Sequence, residues 1–312
     1  MRPVPVDVII PVFNTPLKFL GETLNSLKAQ TYPHWTAWIV NDGSPAEYSA
    51  TLDAFLQTNA DERYRVLNAD HKGPAGSRNV GLVEGTAPIV AFLDSDDCWM
   101  PTHLERQMAV LAARPEITLA HGRSTIIDAE SHEVGPTPSQ DVLNTLTPQQ
   151  LFARMLESNF INAASVVVRR EAIREVGYFG ESFPCLVDKE LWMKVLARGA
   201  RLHYDAEIVL KYRVHAGNIS KKTATLLDTR AKIIALAEEL IRANPALLDT
   251  DWPQLRARME RHRFREAAYG FRAQGLLDKA IECSMPSRAG WSITMMLFNT
   301  KARMSRLSSP QR

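Results

Sequence analysis

The chain has 312 residues, of which 45% are apolar and 23% charged, and its formal net charge is +2. This length allows one large domain or one domain with a smaller appendage, and the composition is ordinary for a globular protein. A net charge so close to zero gives no indication of a nucleic-acid partner.

The cysteines and the apolar runs bear on the compartment. Cys98, Cys185 and Cys283 are odd in number and far apart, so they predict neither a disulfide framework nor a metal-ligand spacing. The first residues, MRPVPVDVIIPVFN, lack the long apolar core and cleavage site of a signal peptide. No window reaches the ~20 apolar residues of a membrane-spanning helix. We therefore expect a cytoplasmic protein in a reducing compartment.

The first 115 residues alternate between strand and helix patterns. Apolar runs predict strands at 6–12, 36–40, 64–67 and 88–93. Helices are predicted after Thr15-Pro16, read as an N-cap and a first-turn proline, and over 46–58, 76–83 and 102–113. The last helix has the spacing of a capping box, Thr102 and Glu105. This alternation predicts an α/β fold with a mainly parallel central sheet flanked by helices.

Polar clusters follow three of the predicted strands. They are the stretches FN at 13–14, DGS at 42–44 and DSDD at 94–97. Because ligands of open α/β sheets bind beyond the carboxyl ends of the strands, the clusters should meet at one edge. Carboxylates at i and i+2, as in Asp94 and Asp96, suit a divalent cation such as Mn²⁺ or Mg²⁺ that bridges to substrate phosphates.

Four stretches, VDVIIPVFN, VNDGS, GPAGSRNVGL and IVAFLDSDD, in this order resemble the N-terminal half of family two glycosyltransferases. The resemblance covers roughly residues 6–220 and implies a GT-A fold, a nucleotide-sugar donor and an Asp-x-Asp metal motif. The implied enzyme is an inverting glycosyltransferase that moves a sugar, expected to be UDP-linked, to a hydroxyl group. Its acceptor would be a glycan or lipid-linked glycan of a cell surface polysaccharide.

The resemblance also assigns the nucleotide-sugar contacts. By this match, the base of the nucleotide is bordered by Pro11, Phe13 and Asn14, and Asp42 accepts the base N–H. Arg78 lies near the base and the phosphates. Asp94 reaches the ribose, with Ser95 beside it. Read from the residues alone, Phe13 fits a core aromatic equally well, Asp42 a turn residue and Arg78 a solvated helix charge. Asp97 is expected to support its neighbours or to cap a helix.

Two residues are expected to hold the Mn²⁺ or Mg²⁺ ion. Asp96 matches the metal ligand of the family motif. His215, in KYRVHAGNIS, matches a motif that ends the catalytic core of many relatives and is the candidate further contact to the metal or the diphosphate. A structural role in the loop is the alternative for His215.

The general base is expected in the second half of the core. Helical patterns begin at 147, 170 and 188, and a strand is predicted at 164–168. Asp188, in CLVDKELWMK, matches the aspartate of the family's Glu-Asp pair, but Val187 stands where the family has the glutamate. That departure puts a standard acceptor subsite in doubt. The alternative for Asp188 is a carboxylate that only stabilises a helix N-terminus; Glu190, two residues on, would not share its face.

The composition changes after residue 220. Helices are predicted at 223–242 and 255–274, and the segment from Cys283 has no acidic residue but four arginines, one lysine and several large apolar side chains. Such a tail fits either peripheral contact with the inner face of an anionic membrane or an appendage packed on the core or a second subunit. We therefore expect a catalytic domain at 1–220, with its nucleotide-binding half at about 1–115 and its acceptor half at 116–220, and a helical region at 221–312.

Two other classes of function stay open. A sugar-phosphate nucleotidyltransferase would need a glycine-rich, basic loop after the first strand, whereas PVFNTPLKFL has no glycine and only Lys18. A non-catalytic nucleotide-sugar-binding protein is disfavoured by the joint presence of Asp94, Asp96 and Asp188.

Overall fold

The computed structural model describes residues 3–215, 217, 223–273, 279 and 283. The chain divides into two compact units, Met1–Asn218 and Ile219–Arg312. The basic, apolar tail that follows Cys283 lies outside the described residues, as does the end of the second C-terminal helix predicted at 274.

A mixed sheet forms the centre of the first unit. Within the described residues its nine strands are β1 (Val6–Val12), β2 (Trp35–Asp42), β3 (Tyr64–Ala69), β4 (Ile89–Phe92), β5 (Cys98–Trp99), β6 (Ile117–Ile127), β7 (Glu133–Pro136), β8 (Val167–Arg169) and β9 (Arg201–Arg213). Their order is β3-β2-β1-β4-β8-β6-β9-β5, with β7 against β6. Strands β1 to β4 are parallel, as are β6 and β9. Strand β8 runs antiparallel to both β4 and β6.

Helices cover this sheet and make up the described part of the second unit. Those of the first unit are α1 (Leu17–Lys28), α2 (Ala46–Thr58), α3 (Gly73–Glu84), α4 (His103–Ala113), α5 (Pro148–Glu157), α6 (Arg170–Arg174) and α7 (Val187–Ala197); those of the second are α8 (Thr223–Ala243) and α9 (Trp252–Ala273). The apolar residues of α1 recur at helical spacing and are buried against the sheet, as Leu20, Leu24 and Leu27 show. No helix among the described residues has the length and apolar character needed to cross a bilayer.

Two predicted helix caps are wrong. The Thr15 hydroxyl does not cap α1 but lies 2.7 Å from the Ser95 hydroxyl. Thr102 makes no side-chain cap bond at α4, and its predicted capping-box partner Glu105 instead accepts the Thr31 hydroxyl at 2.8 Å. In both places a contact between distant segments has taken the side chain that local spacing assigned to a cap.

Asp7, the polar residue inside the apolar run of β1, is buried with both oxygens paired. Its Oδ1 accepts the Trp38 indole N–H at 2.8 Å, and its Oδ2 accepts the Ala87 N–H at 2.8 Å and the Arg170 guanidinium at 2.6 Å. The carboxylate therefore joins β1 to β2, to the segment before β4 and to α6. A charge is tolerated inside this strand because each oxygen has a donor.

Arg213 ends β9 with a fully buried side chain. Its Nη2 donates to Glu22 of α1 at 2.6 Å, and its Nη1 donates to the Ser131 hydroxyl at 2.8 Å. The guanidinium carbon lies 4.5 Å from the centre of the Phe19 ring, a cation–π distance. One cation thus joins β9, α1 and the connection between β6 and β7.

The same arginine holds the turn that follows β4. Its Nε donates to the Asp96 carbonyl at 2.7 Å, and its backbone N–H donates to Asp97 Oδ1 at 2.8 Å. Asp97 is fully buried, and this burial, together with the charges of Asp96 and Asp94, raises the pKa of Asp97 well above its ordinary value. The turn is therefore acidic, and the buried guanidinium of Arg213 stabilises it.

We expect Arg213→Lys to lower the free energy of unfolding of the first unit by about 1–3 kcal/mol, because an ammonium lacks the planar fork that reaches several acceptors at once. Urea denaturation followed by tryptophan fluorescence measures the change. Lys211→Ala is the matched control two residues away, since the Lys211 pair with Glu133 is partly exposed, 3.0 Å long and worth little. An equal loss in the two variants would contradict the supporting role of Arg213.

Candidate functional site

The three polar clusters predicted to meet lie together at the carboxyl edge of β1, β2 and β4. The Asn14 N–H donates to the Ser44 hydroxyl at 3.1 Å, and the contact between Thr15 and Ser95 ties the first cluster to the third. Asn14 has a left-handed φ of 50°, so the chain turns sharply at the end of β1. Pro11 is half-buried near the end of the same strand.

Phe13 and Asp42 line one end of this edge. The Phe13 ring is 49% exposed and is stacked on the His71 ring, with centroids 4.3 Å apart and planes 28° apart. The Asp42 side chain is buried; its Oδ1 accepts the Lys72 N–H at 2.8 Å, and its Oδ2 lies 3.1 Å from His71 Nδ1. Phe13 is therefore not a core aromatic. The sequence did not single out His71, because only the fold brings it against Phe13.

The carboxylates of the DSDD turn have separate partners. Asp94 forms an ion pair with Arg78, whose side chain is 8% exposed, so Arg78 is not a solvated charge. Asp96 Oδ2 accepts a hydrogen bond from His215 Nε2 at 2.8 Å. Burial and the nearby Asp94 raise the pKa of Asp96, while the His215 contact acts in the opposite direction. The turn thus presents one carboxylate paired with a guanidinium and one with an imidazole.

Asp188 lies in the first turn of α7, as the sequence predicted. Its Oδ2 accepts the Asn159 amide at 2.7 Å. Burial raises the pKa of Asp188, although hydrogen bonds from the Lys189 N–H and Asn159 and the charge of Arg78 lower it. The charges of Arg78 and Asp94 act on Asp188, so its carboxyl lies within electrostatic range of the DSDD turn.

Glu190, two residues further along α7, serves the structure instead. Its Oε1 pairs with Lys194 at 2.8 Å and its Oε2 accepts the Gly180 N–H at 3.0 Å. The Asn79 side chain of α3 accepts the Phe179 N–H and donates to the Phe179 carbonyl, both at 3.0 Å. The loop before α7 is therefore held between α3 and α7, which fixes the start of α7, with Asp188, relative to α3.

Tyr212 of β9 lies within electrostatic range of the same carboxylates, although the sequence assigned it no role. Burial and the four carboxylates of Asp94, Asp96, Asp97 and Asp188 raise the pKa of Tyr212 to about 12. Its phenol therefore remains protonated at neutral pH and adds a neutral hydrogen-bond donor among these acids.

The donor set at the DSDD turn fits a divalent ion that also binds phosphate. Among the described residues, no three His, Cys, Asp or Glu side chains are gathered closely enough to hold a metal ion by themselves. Asp96 and His215 place a carboxylate oxygen and an imidazole nitrogen 2.8 Å apart. Mg²⁺ and Mn²⁺ accept such a partial set when phosphate oxygens and water complete the coordination.

Comparison with known proteins places the chain among glycosyltransferases. An uncharacterized glycosyltransferase of Rickettsia felis is 28% identical over 218 residues, which cover 70% of this chain and 35% of that protein. The Escherichia coli protein named UDP-Glc:alpha-D-GlcNAc-diphosphoundecaprenol beta-1,3-glucosyltransferase WfgD is 27% identical over 221 residues, 69% of this chain and 79% of that protein. The chain spans about a third of the length of the first curated Rickettsia relatives it matches.

Solved structures and a family model complete the comparison. The crystal structure of S. aureus TarS 1-349 matches with a TM-score of 0.58 at 15% identity, covering 99% of this chain and 93% of that chain. Its complex with UDP-GlcNAc matches with the same TM-score at 16% identity. These likenesses confirm the expected α/β fold of the GT-A type. The family model described as Glycosyl transferase family 2 matches residues 7–177, more than half of the chain, and the chain therefore belongs to that family.

Proposed function

We propose that the chain is a metal-dependent, inverting glycosyltransferase. It transfers a sugar from a nucleotide diphosphate sugar, UDP-linked, to a hydroxyl group of a glycan or lipid-linked glycan acceptor. One observation carries this proposal: the half-buried carboxyl of Asp188 lies within electrostatic range of Asp94 of the DSDD turn and of its partner Arg78. A base on one side and a phosphate-binding turn on the other are the two elements that sugar transfer to a hydroxyl requires.

The relatives support the donor and acceptor classes. WfgD is named for a UDP-linked glucose donor and a diphosphoundecaprenol-linked acceptor. TarS has been crystallised with UDP-GlcNAc and with UDP. A Myxococcus xanthus relative, 27% identical over 241 residues, is named for O-antigen biosynthesis. We infer that this chain also acts in the biosynthesis of a cell surface polysaccharide.

The nucleotide would lie along the edge formed by β1, β2 and β4. Phe13 offers a ring face for stacking, and Asp42 offers a carboxylate for the imide N–H of uracil. Asp94, positioned by Arg78, would reach the ribose. Pro11, Asn14 and Ser95 shape the backbone of this edge and leave the ring of Phe13 exposed at its rim.

Asp188 would act as the general base. It would accept the proton of the acceptor hydroxyl as that oxygen attacks the anomeric carbon from the side opposite the diphosphate, which inverts the configuration. Burial raises the pKa of this carboxyl and so strengthens it as a base. Asp96 and His215 would hold Mn²⁺ or Mg²⁺, which supplies positive charge to the departing diphosphate.

Two alternatives make different products. A nucleotidyltransferase would release pyrophosphate, and a non-catalytic binding protein would release nothing. Incubation with a UDP-sugar and acceptor, followed by an assay for free UDP, tests for sugar transfer. A separate incubation with UTP and a sugar 1-phosphate, followed by an assay for pyrophosphate, tests for nucleotidyl transfer, and a binding protein gives neither product. We expect UDP.

We expect Asp188→Asn to lower turnover at least about a hundredfold while donor affinity, measured by calorimetry, stays near the wild-type value. Because the pKa of Asp188 is raised, the wild-type rate should fall on acidification at a higher pH than an ordinary aspartate would give, since only the deprotonated form accepts the proton. A pH–rate profile measures the pH at which the rate falls on acidification. Glu181→Gln, at an exposed position of the preceding loop, is the control and should keep turnover. Near wild-type turnover of Asp188→Asn would remove Asp188 from the mechanism.

We expect excess chelator to abolish transfer and added Mn²⁺ to restore it, because the diphosphate needs a counter-charge at the DSDD turn. Asp96→Asn should weaken donor binding itself, in contrast to Asp188→Asn. Calorimetric titration of UDP with and without Mn²⁺ separates the two effects, and Asp53→Asn on the exposed face of α2 is the control. Full activity in excess chelator contradicts the metal requirement.

We also infer peripheral contact with an anionic membrane at its cytoplasmic face. Arg258, Arg261 and Arg265 are exposed on α9 at positions i, i+3 and i+7, which lie on one face of a helix. A basic helix face is attracted to anionic lipids by about 1 kcal/mol for each arginine near the surface. A lipid-linked acceptor would place the enzyme at such a surface.

The double variant Arg261→Glu/Arg265→Glu should therefore sediment less with vesicles that contain phosphatidylserine, and the difference should shrink at high salt. The control Arg198→Glu/Arg201→Glu makes the same charge change at two exposed arginines of the first unit. Equal sedimentation of wild type and both variants would contradict membrane contact through α9.

A further inference from the structure

We propose that the imidazole of His71 occupies the nucleobase position in the free protein, and that the base of the donor must displace it. The inference rests on the proposed nucleotide site and concerns how that site is filled before substrate arrives. It assigns a new role to a histidine that lies between β3 and α3.

His71 makes the two contacts that a uracil ring would make. Its ring stacks on Phe13 at 4.3 Å and 28°. Its Nδ1 lies 3.1 Å from Asp42 Oδ2 and 3.0 Å from the Asp42 carbonyl oxygen. Both neighbours are acceptors, so Nδ1 carries the proton and donates. A planar ring on Phe13 with a ring N–H directed at Asp42 describes a bound uracil equally well.

Each carboxylate oxygen of Asp42 already has a donor while His71 remains in place. Its Oδ1 is held by the Lys72 N–H at 2.8 Å, a backbone donor that cannot rotate away. Its Oδ2 faces His71, and the whole side chain is only 4% exposed. A base that stacks on Phe13 and points its N–H at Asp42 Oδ2 would therefore take the place of the His71 ring and of its hydrogen bond.

The His71 side chain can leave although its backbone cannot. A Cβ built on Gly43 would lie 2.5 Å from the His71 backbone nitrogen, so the two loops are pressed together at this point. The His71 side chain, by contrast, is 56% exposed. A rotation about its side-chain bonds would uncover both the Phe13 ring and Asp42 Oδ2 without moving the loop.

The displacement lowers the apparent affinity for the nucleotide. Binding must break one stacking contact and one hydrogen bond before it can form their equivalents, and only the fraction of molecules with His71 turned away is ready to bind. Removing the imidazole should remove that cost. The opposite expectation holds if His71 is itself a ligand of the base, because its loss would then weaken binding.

Calorimetric titration of UDP in the presence of Mn²⁺ tests the proposal. We expect His71→Ala to bind UDP about threefold or more tightly than the wild type, as follows if the competent fraction is small. Weaker or unchanged binding overturns the proposal. His34→Ala, at an exposed histidine just before β2, is the matched control and should leave the affinity unchanged.

Pyrophosphate shows whether the effect acts through the base. Because pyrophosphate has no base, it should bind wild type and His71→Ala equally, and a parallel gain for both ligands would overturn the proposal. If UDP binds the wild type and binds His71→Ala no more tightly, only the proposal that His71 occupies the base position is disproved. Absence of UDP binding to either protein would show that the proposed nucleotide site is itself wrong.

Discussion

The buried guanidinium of Arg213 is the interaction on which the geometry of the crevice depends. It lies beneath a turn with three carboxylates in four positions, and it is surrounded by acceptors from α1, the β4 turn and the connection between β6 and β7. Burial, together with the charges of Asp96 and Asp94, raises the pKa of Asp97 in this turn. The Arg213 cation acts in the opposite direction and stabilises the turn, while Asp94 and Asp96 pair with Arg78 and His215.

Two further sets of hydrogen bonds hold the loop before α7, one from α3, which contacts the DSDD turn, and one from α7 itself. Asn79 pairs with both backbone groups of Phe179, and Glu190 receives the Gly180 N–H, so the loop before α7 is bound to α3. The same α3 supplies Arg78 to Asp94. One helix, α3, therefore contacts both the DSDD turn and the loop that leads to α7. The separation between Asp94 and the start of α7 is thus set by a helix rather than by flexible loops.

Much of the nucleotide half could be predicted because its signals are local. Continuous apolar runs identified β1 to β4, and the polar residues at their ends were correctly expected to meet at one edge of the sheet. The acceptor half was harder. Strands β6 and β9 were missed because they interleave polar residues such as His121, Arg123 and Asp205, whose partners come from distant segments.

Predictions for individual side chains failed for the same reason. Thr15 has the local chemistry of a helix cap but bonds Ser95, eighty positions away. His71 and Arg213 have no recognisable pattern of their own, since each acquires its role from the residues that the fold places against it. Sequence reasoning therefore works where a residue's partner is its neighbour in the chain, and it loses force where the partner is set by the order of strands in the sheet.

The contact between Asp96 and His215 spans 119 positions, and that between Glu22 and Arg213 spans 191. During synthesis the DSDD turn therefore emerges long before its supporting cation, and it cannot take its final form until nearly the whole first unit has left the ribosome. Loop closure over such lengths comes late in folding. A partly made chain would thus contain β1 to β4 but not the contacts that Arg213 and His215 make with the DSDD turn, so the topology delays completion of this turn until the end of the first unit is present.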